Sequence, residues 1–149
     1  MKTNSIIKQL GISIGILLVV FVIGTFIQIT MFALGFSPII AFMISAVFVA
    51  PLTEEAGKYF SIKAQSTGMY FLIFNFTEFS LYFMKLLNAG VAIPVIIIAR
   101  LLAVMMHYIT TTTQFAARKR DKAGRGYLVA TTIHALWNLF ATLPLLRQI

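Results

Sequence analysis

The chain has 149 residues and a formal net charge of +8. Hydrophobic residues make up 60% and charged residues only 11%, against about 25% charged in an average soluble domain, and mean hydropathy is +0.94. These values exclude a soluble globule with one small core and a disordered chain, which needs low hydrophobicity; with no cysteine there is no disulfide frame, Cys-ligated zinc or thiol nucleophile.

A hydrocarbon core about 30 Å thick takes about 20 helical residues to cross. No charged residue occurs between Gln9 and Thr53, room enough for two spans. Gly35-Phe36-Ser37-Pro38 divides that stretch: Gly closes one helix, Ser caps the next and Pro fits its first turn. The predicted spans are about 10–34, 38–62, 67–84, 90–116 and 127–146. They define an all-α, polytopic membrane protein, with one integral membrane domain over residues 1–149 and five helices in a single bundle. The first apolar run follows Lys2 and Lys8 as in a signal peptide. It is too long for one and no small-x-small cleavage site follows, so it reads as an uncleaved signal anchor.

Lys2, Lys8, Lys63, Arg118, Lys119, Arg120, Lys122 and Arg125 fall at the N-terminus and in the second and fourth loops, which five spans place on one side. The other side carries Lys85 and Arg147. The positive-inside rule then puts the N-terminus in the cytoplasm and the C-terminus outside. The expected location is the cell membrane, as a multi-pass protein of prokaryotic plasma-membrane type. The run RKRDKAGR at 118–125 reads as a topogenic loop against anionic headgroups. Nucleic acid is not an expected partner, because no aromatic platform or known motif accompanies the basic residues.

Ionisable groups inside a bilayer are costly and mark functional sites by default. The chain has four acidic residues, and three of them, Glu54, Glu55 and Glu78, fall in predicted spans. So do His107, His134, Lys58, Arg100 and Asn138. From a rise of about 1.5 Å per residue, Glu54, Glu55 and His134 lie ~11 Å deep, His107 ~14 Å and Glu78 ~16 Å. Four helices thus converge on one polar cavity opening towards the cytoplasm. The spacings agree: Glu54 and Lys58, Phe74 and Glu78, and His134 and Asn138 are each four residues apart, so each pair shares a helix face, and Glu54 can pair with Lys58. Arg100 and His107 are two turns apart on one face, Arg100 being a candidate counterion for Glu78.

Two adjacent carboxylates in a low-dielectric site cannot both ionise easily, which leaves one as a general acid or base. With histidines and an amide nearby, such a base activates water for attack on a carbonyl, and His and Asn stabilise the oxyanion. The same residues could instead hold zinc, His107, His134 and Glu78 being the expected ligands, with a Glu left to act on metal-bound water. No HExxH motif or serine-nucleophile motif occurs.

In chain order the motifs are Glu54-Glu55-Ala-Gly-Lys58, Phe74-Asn-Phe-Thr-Glu78, Arg100 through His107-Tyr-Ile-Thr-Thr111, and His134-Ala-Leu-Trp-Asn138. This set resembles the PrsW-type intramembrane proteases, relatives of the CAAX-processing and bacteriocin-immunity (CPBP) proteases. The resemblance covers residues 54–138. It implies that Glu54 or Glu55 activates water and that His134 and Asn138 bind the oxyanion or the water. Glu78 stands where the CAAX-type enzymes have histidine, His107 comes from the extra motif of the PrsW branch, and Lys58 is nearer the PrsW pattern than the CAAX one. These departures argue against a prenyl-peptide substrate.

The expected function is therefore an intramembrane endopeptidase, of glutamate type in preference to a metalloprotease, acting on a membrane-associated protein or peptide. The alternatives are a proton-coupled small transporter or channel subunit, in which Glu78, Glu54 and His107 form a relay, and a catalytically inactive binding or immunity protein.

Overall fold

A computed structural model of the chain describes residues 2–143, with side chains from Ile6 onward; the last residues of the predicted fifth span lie outside this range. The described residues are helical, without a strand. They form α1 (Lys2–Ala33), α2 (Pro38–Lys63), α3 (Thr67–Asn88), α4 (Ile93–Arg118) and α5 (Ala123–Thr142). Among the described residues three helices are long and apolar enough to cross a membrane, over Ile6–Ala33, Pro38–Lys63 and Ile93–Arg118.

The turns follow one design. Phe36 N–H returns to Met31 O at 3.2 Å, Ser66 to Ser61 at 2.9 Å, Val91 to Leu86 at 3.1 Å and Lys122 to Ala117 at 2.9 Å. Each closes a helix with the six-residue hydrogen bond that needs a left-handed residue just before its donor. Gly35 and Gly90 take that conformation without steric cost, whereas Gln65 and Asp121 adopt it with side chains, at φ 58° and 54°. Ser37 then caps α2 through its hydroxyl, 3.4 Å from Ile40 N, with Pro38 in the first turn.

The molecule is apolar outside and polar within. Phe76, Phe26 and Phe140 are 74%, 69% and 68% exposed, while Glu55, Lys58, His107, Gln114 and His134 are buried. That inversion suits hydrocarbon surroundings, where side chains meet lipid and polar groups must find partners inside. The described residues contain only a small apolar cluster, Leu17, Tyr70 and Phe74, which ties α1 to α3.

A wide, π-type turn interrupts α2 over Ser45–Val49. Pro51 explains it. Its ring collides with the carbonyl four residues back and it has no N–H to give. Ala50 N–H bonds Ser45 O instead of Ala46 O. The next possible donor for Ala46 O is residue 51, which is proline. Asn138 of α5 supplies the missing hydrogen bond, its Nδ2 donating to Ala46 O at 2.7 Å. Asn138→Leu is expected to destabilise the protein by about 1–3 kcal/mol through the orphaned carbonyl. Pro51→Ala restores a backbone donor, so unfolding of the double variant in detergent should show less than the summed loss. Additive losses would remove this role from Asn138.

Candidate functional site

On an α-helix consecutive residues point about 100° apart, and Glu54 and Glu55 use that difference. Glu55 turns inward between α4 and α5 and has no exposed surface. Its Oε1 accepts from Lys58 Nζ at 2.5 Å and from His134 Nδ1 at 2.9 Å. Its Oε2 accepts from Gln114 Nε2 at 2.8 Å. Lys58 is therefore the partner of Glu55, three residues away, and not of Glu54 as the four-residue spacing predicts. Both spacings bring side chains together on a helix; burial decides, because the ammonium follows the carboxylate that has lost its water.

Lys58 is fully satisfied. Besides Glu55 it donates to Thr110 Oγ1 at 2.7 Å and to His107 Nδ1 at 3.1 Å. An ammonium has no acceptor, so His107 Nδ1 carries the lone pair. His107 Nε2–H then donates to Glu78 Oε2 at 2.7 Å, and Arg100 holds Glu78 Oε1 at 3.0 Å. Arg100 also stacks on Tyr82, its guanidinium carbon 4.8 Å from the ring centroid. Tyr70, Phe74, His107 and His134 form a ladder of rings with successive centroids 5.8, 5.1 and 5.0 Å apart. The ladder fixes both imidazole planes.

The buried charges thus resolve into two ion pairs, Glu55 with Lys58 and Glu78 with Arg100. Glu54 is left over. No hydrogen bond to its carboxylate occurs among the described residues. It lines a cavity of about 300 Å³ between α1, α2 and α3, with Glu78, Phe74, Tyr82 and Gln28 in the other walls. His134 Nε2 lies 3.6 Å from Glu54 Oε2, too long for a direct hydrogen bond. Because His134 gives its Nδ1 proton to Glu55, Nε2 carries the free lone pair and faces Glu54. This gap, with acceptors on both sides, suits one bridging water.

Seven of the eight residues singled out from the sequence join this assembly: Glu54, Glu55, Lys58, Glu78, Arg100, His107 and His134. Asn138 stands one turn beyond His134 and gives its amide to Ala46. Gln114 and Thr110 belong to the network but escaped the sequence reading. The signal was present for Gln114: residues 100, 107 and 114 repeat every seven positions, so one stripe of α4 carries Arg, His and Gln inward.

As a metal site the group changes membership. Glu54, His107 and His134 offer ligand atoms within 4.8 Å of one another, Glu54 standing where Glu78 was expected. Glu54 and His134 Nε2 are available, but both nitrogens of His107 are engaged, by Lys58 and Glu78. Two free donors fall short of the three protein ligands usual for a catalytic zinc.

Comparison of the chain with protein-family models, curated proteins and solved structures gives no match.

The hydrogen bonds assign opposite tautomers to two neighbouring imidazoles. ¹⁵N NMR of histidine-labelled protein in micelles should show His107 as the Nε2–H form and His134 as the Nδ1–H form. Equal tautomers in both rings would contradict the network.

Proposed function

We propose that the chain is an intramembrane endopeptidase of the PrsW type that cleaves a membrane-associated protein or peptide through a glutamate-activated water. The observation that carries this reading is Glu54, the one glutamate whose carboxylate accepts no hydrogen bond among the described residues, set beside the free Nε2 of a buried histidine at the edge of a cavity. A water between them donates one hydrogen bond to each and keeps a lone pair for a carbonyl carbon. As its oxygen attacks, Glu54 takes the proton. When the C–N bond breaks, Glu54 returns that proton to the leaving nitrogen, giving a carboxylic acid and an amine. Glu55 acts behind His134, holding the ring, and Asn138 satisfies the carbonyl freed at the turn ahead of Glu54.

The reading includes five spans, a cytoplasmic N-terminus and residence in the cell membrane. Its support is the basic loop at 118–125 together with the apolar outer surface. A cytoplasm-dependent reporter fused in that loop should be active, and one fused at the C-terminus inactive; the reverse pattern would overturn the orientation.

Zinc chemistry on Glu54, His107 and His134 is the variant of this mechanism that requires one nitrogen of His107 to leave its partner, Lys58 or Glu78. A different class of function also has a specific observation in its favour. The continuous chain Glu55–Lys58–His107–Glu78–Arg100 is the kind of path a proton-coupled transporter uses.

Mass spectrometry of new protein N-termini in host membranes separates these readings. Wild type should generate termini that Glu54→Gln, at equal abundance, generates about 10²–10⁴ times more slowly, the range for loss of a general base. Identical termini in both would reject proteolysis and turn attention to proton flux in proteoliposomes. Cleavage abolished by chelation and restored by zinc would replace the metal-free mechanism.

A further inference from the structure

Gln114 does not line the cavity, yet only 2% of it is exposed and it grips Glu55 twice. Its Nε2 lies 2.8 Å from Glu55 Oε2 and 3.1 Å from the Glu55 backbone oxygen. Both partners only accept, so the amide can present only its NH₂ end. The other end, Oε1, is thereby buried without a hydrogen-bond partner among the described residues. Packing alone does not select a polar side chain that leaves one of its own atoms unsatisfied.

The effect on Glu55 is directional. Lys58 and His134 both use Oε1, and the only donor to Oε2 among the described residues is Gln114. Without that donor the carboxylate can turn about its last bond towards Lys58 and draw away from His134 Nδ1. With it, one oxygen faces His134. Gly126 of α5 permits the arrangement: a Cβ there would lie 3.3 Å from Gln114 Cα and would collide with Ala117, so only glycine lets α5 pass this close.

We propose that Gln114 is a positioning residue that acts through the Glu55 carboxylate to hold His134 with its proton on Nδ1 and its free Nε2 aimed at Glu54. The role rests on reading Glu54 and His134 as the pair that binds the attacking water. It gives Gln114 no contact with substrate.

The test is the ¹⁵N spectrum of the two histidines in Gln114→Met, which keeps length and apolar bulk but removes both donors. His134 should change from the single Nδ1–H form to a mixture of tautomers. His107, held by Lys58 and Glu78, should not move and reports that the helices remain assembled. A His134 signal unchanged from wild type overturns the proposal. Should the methionine variant not fold, Gln114→Asn replaces it: the amide is kept but is one methylene too short to reach both Glu55 oxygens. Mixed tautomers are again expected, and a single Nδ1–H form again overturns the role. Where Glu54-dependent cleavage is found, either variant should lower kcat about 100-fold, as for a displaced reacting group, with KM retained. Absence of cleavage in wild type would reject the proteolytic reading alone, because the tautomer measurement needs no substrate.

Discussion

A carboxylate with no exposed surface must be surrounded by donors, and the inner half of this molecule is arranged to surround Glu55. An ionised group in a low-dielectric interior costs several kcal/mol unless it is both paired and hydrogen-bonded. Lys58 meets the first need, and His134 and Gln114 the second. These partners sit on α2, α5 and α4, so satisfying one charge fixes three helices against each other. In hydrocarbon the hydrophobic effect gives helices little reason to associate. Here a polar knot performs the joining, and the apolar side chains are released to face lipid.

The same logic extends outward one layer. Lys58 must spend its remaining donors and finds His107 and Thr110. His107 then gives its other nitrogen to Glu78, which Arg100 neutralises. Every link settles the protonation site of the next, so two histidines whose rings touch edge to face end in opposite tautomers. His107 is consumed by this structure, whereas His134 keeps one nitrogen uncommitted. The division separates a fully bonded imidazole from one with a free nitrogen, which residue type alone cannot do.

Much of this was legible in the sequence, for identifiable reasons. The helices were, because Gly35, Ser37 and Pro38 mark the first break and each later break follows an apolar run. The residues of the site were, because a charge in an apolar run has no ordinary explanation. The pairing was not. Spacings of three and four residues both put a lysine beside a glutamate, and only burial, supplied by α4 and α5, chooses Glu55 over Glu54. Gln114 was overlooked because it is uncharged and close to the basic loop, although it shares a heptad position with Arg100 and His107. The resemblance assigns Asn138 to the oxyanion or the water. Its bond to Ala46 depends on the wide turn that Pro51 imposes on another helix, a link no local pattern contains. The turns at Gln65 and Asp121 lack the glycine that marks the other two.

Two neighbouring glutamates meet unequal fates in this fold, and the proposed chemistry rests on that difference. Were both paired, the core would be a neutral strut; were both unpaired, two adjacent charges would repel in a medium that screens them poorly. The helical step of about 100° sends one acid into the knot and leaves the other on the cavity wall. Glu55 therefore cannot change its proton without loosening three helices. No hydrogen bond among the described residues ties the Glu54 carboxylate to another helix. In the endopeptidase proposed above Glu54 is the base, which needs that freedom together with a rigid neighbour to aim the water. On that proposal the Glu55–His134 pair provides the neighbour, and stability and reactivity fall to adjacent residues of a single turn.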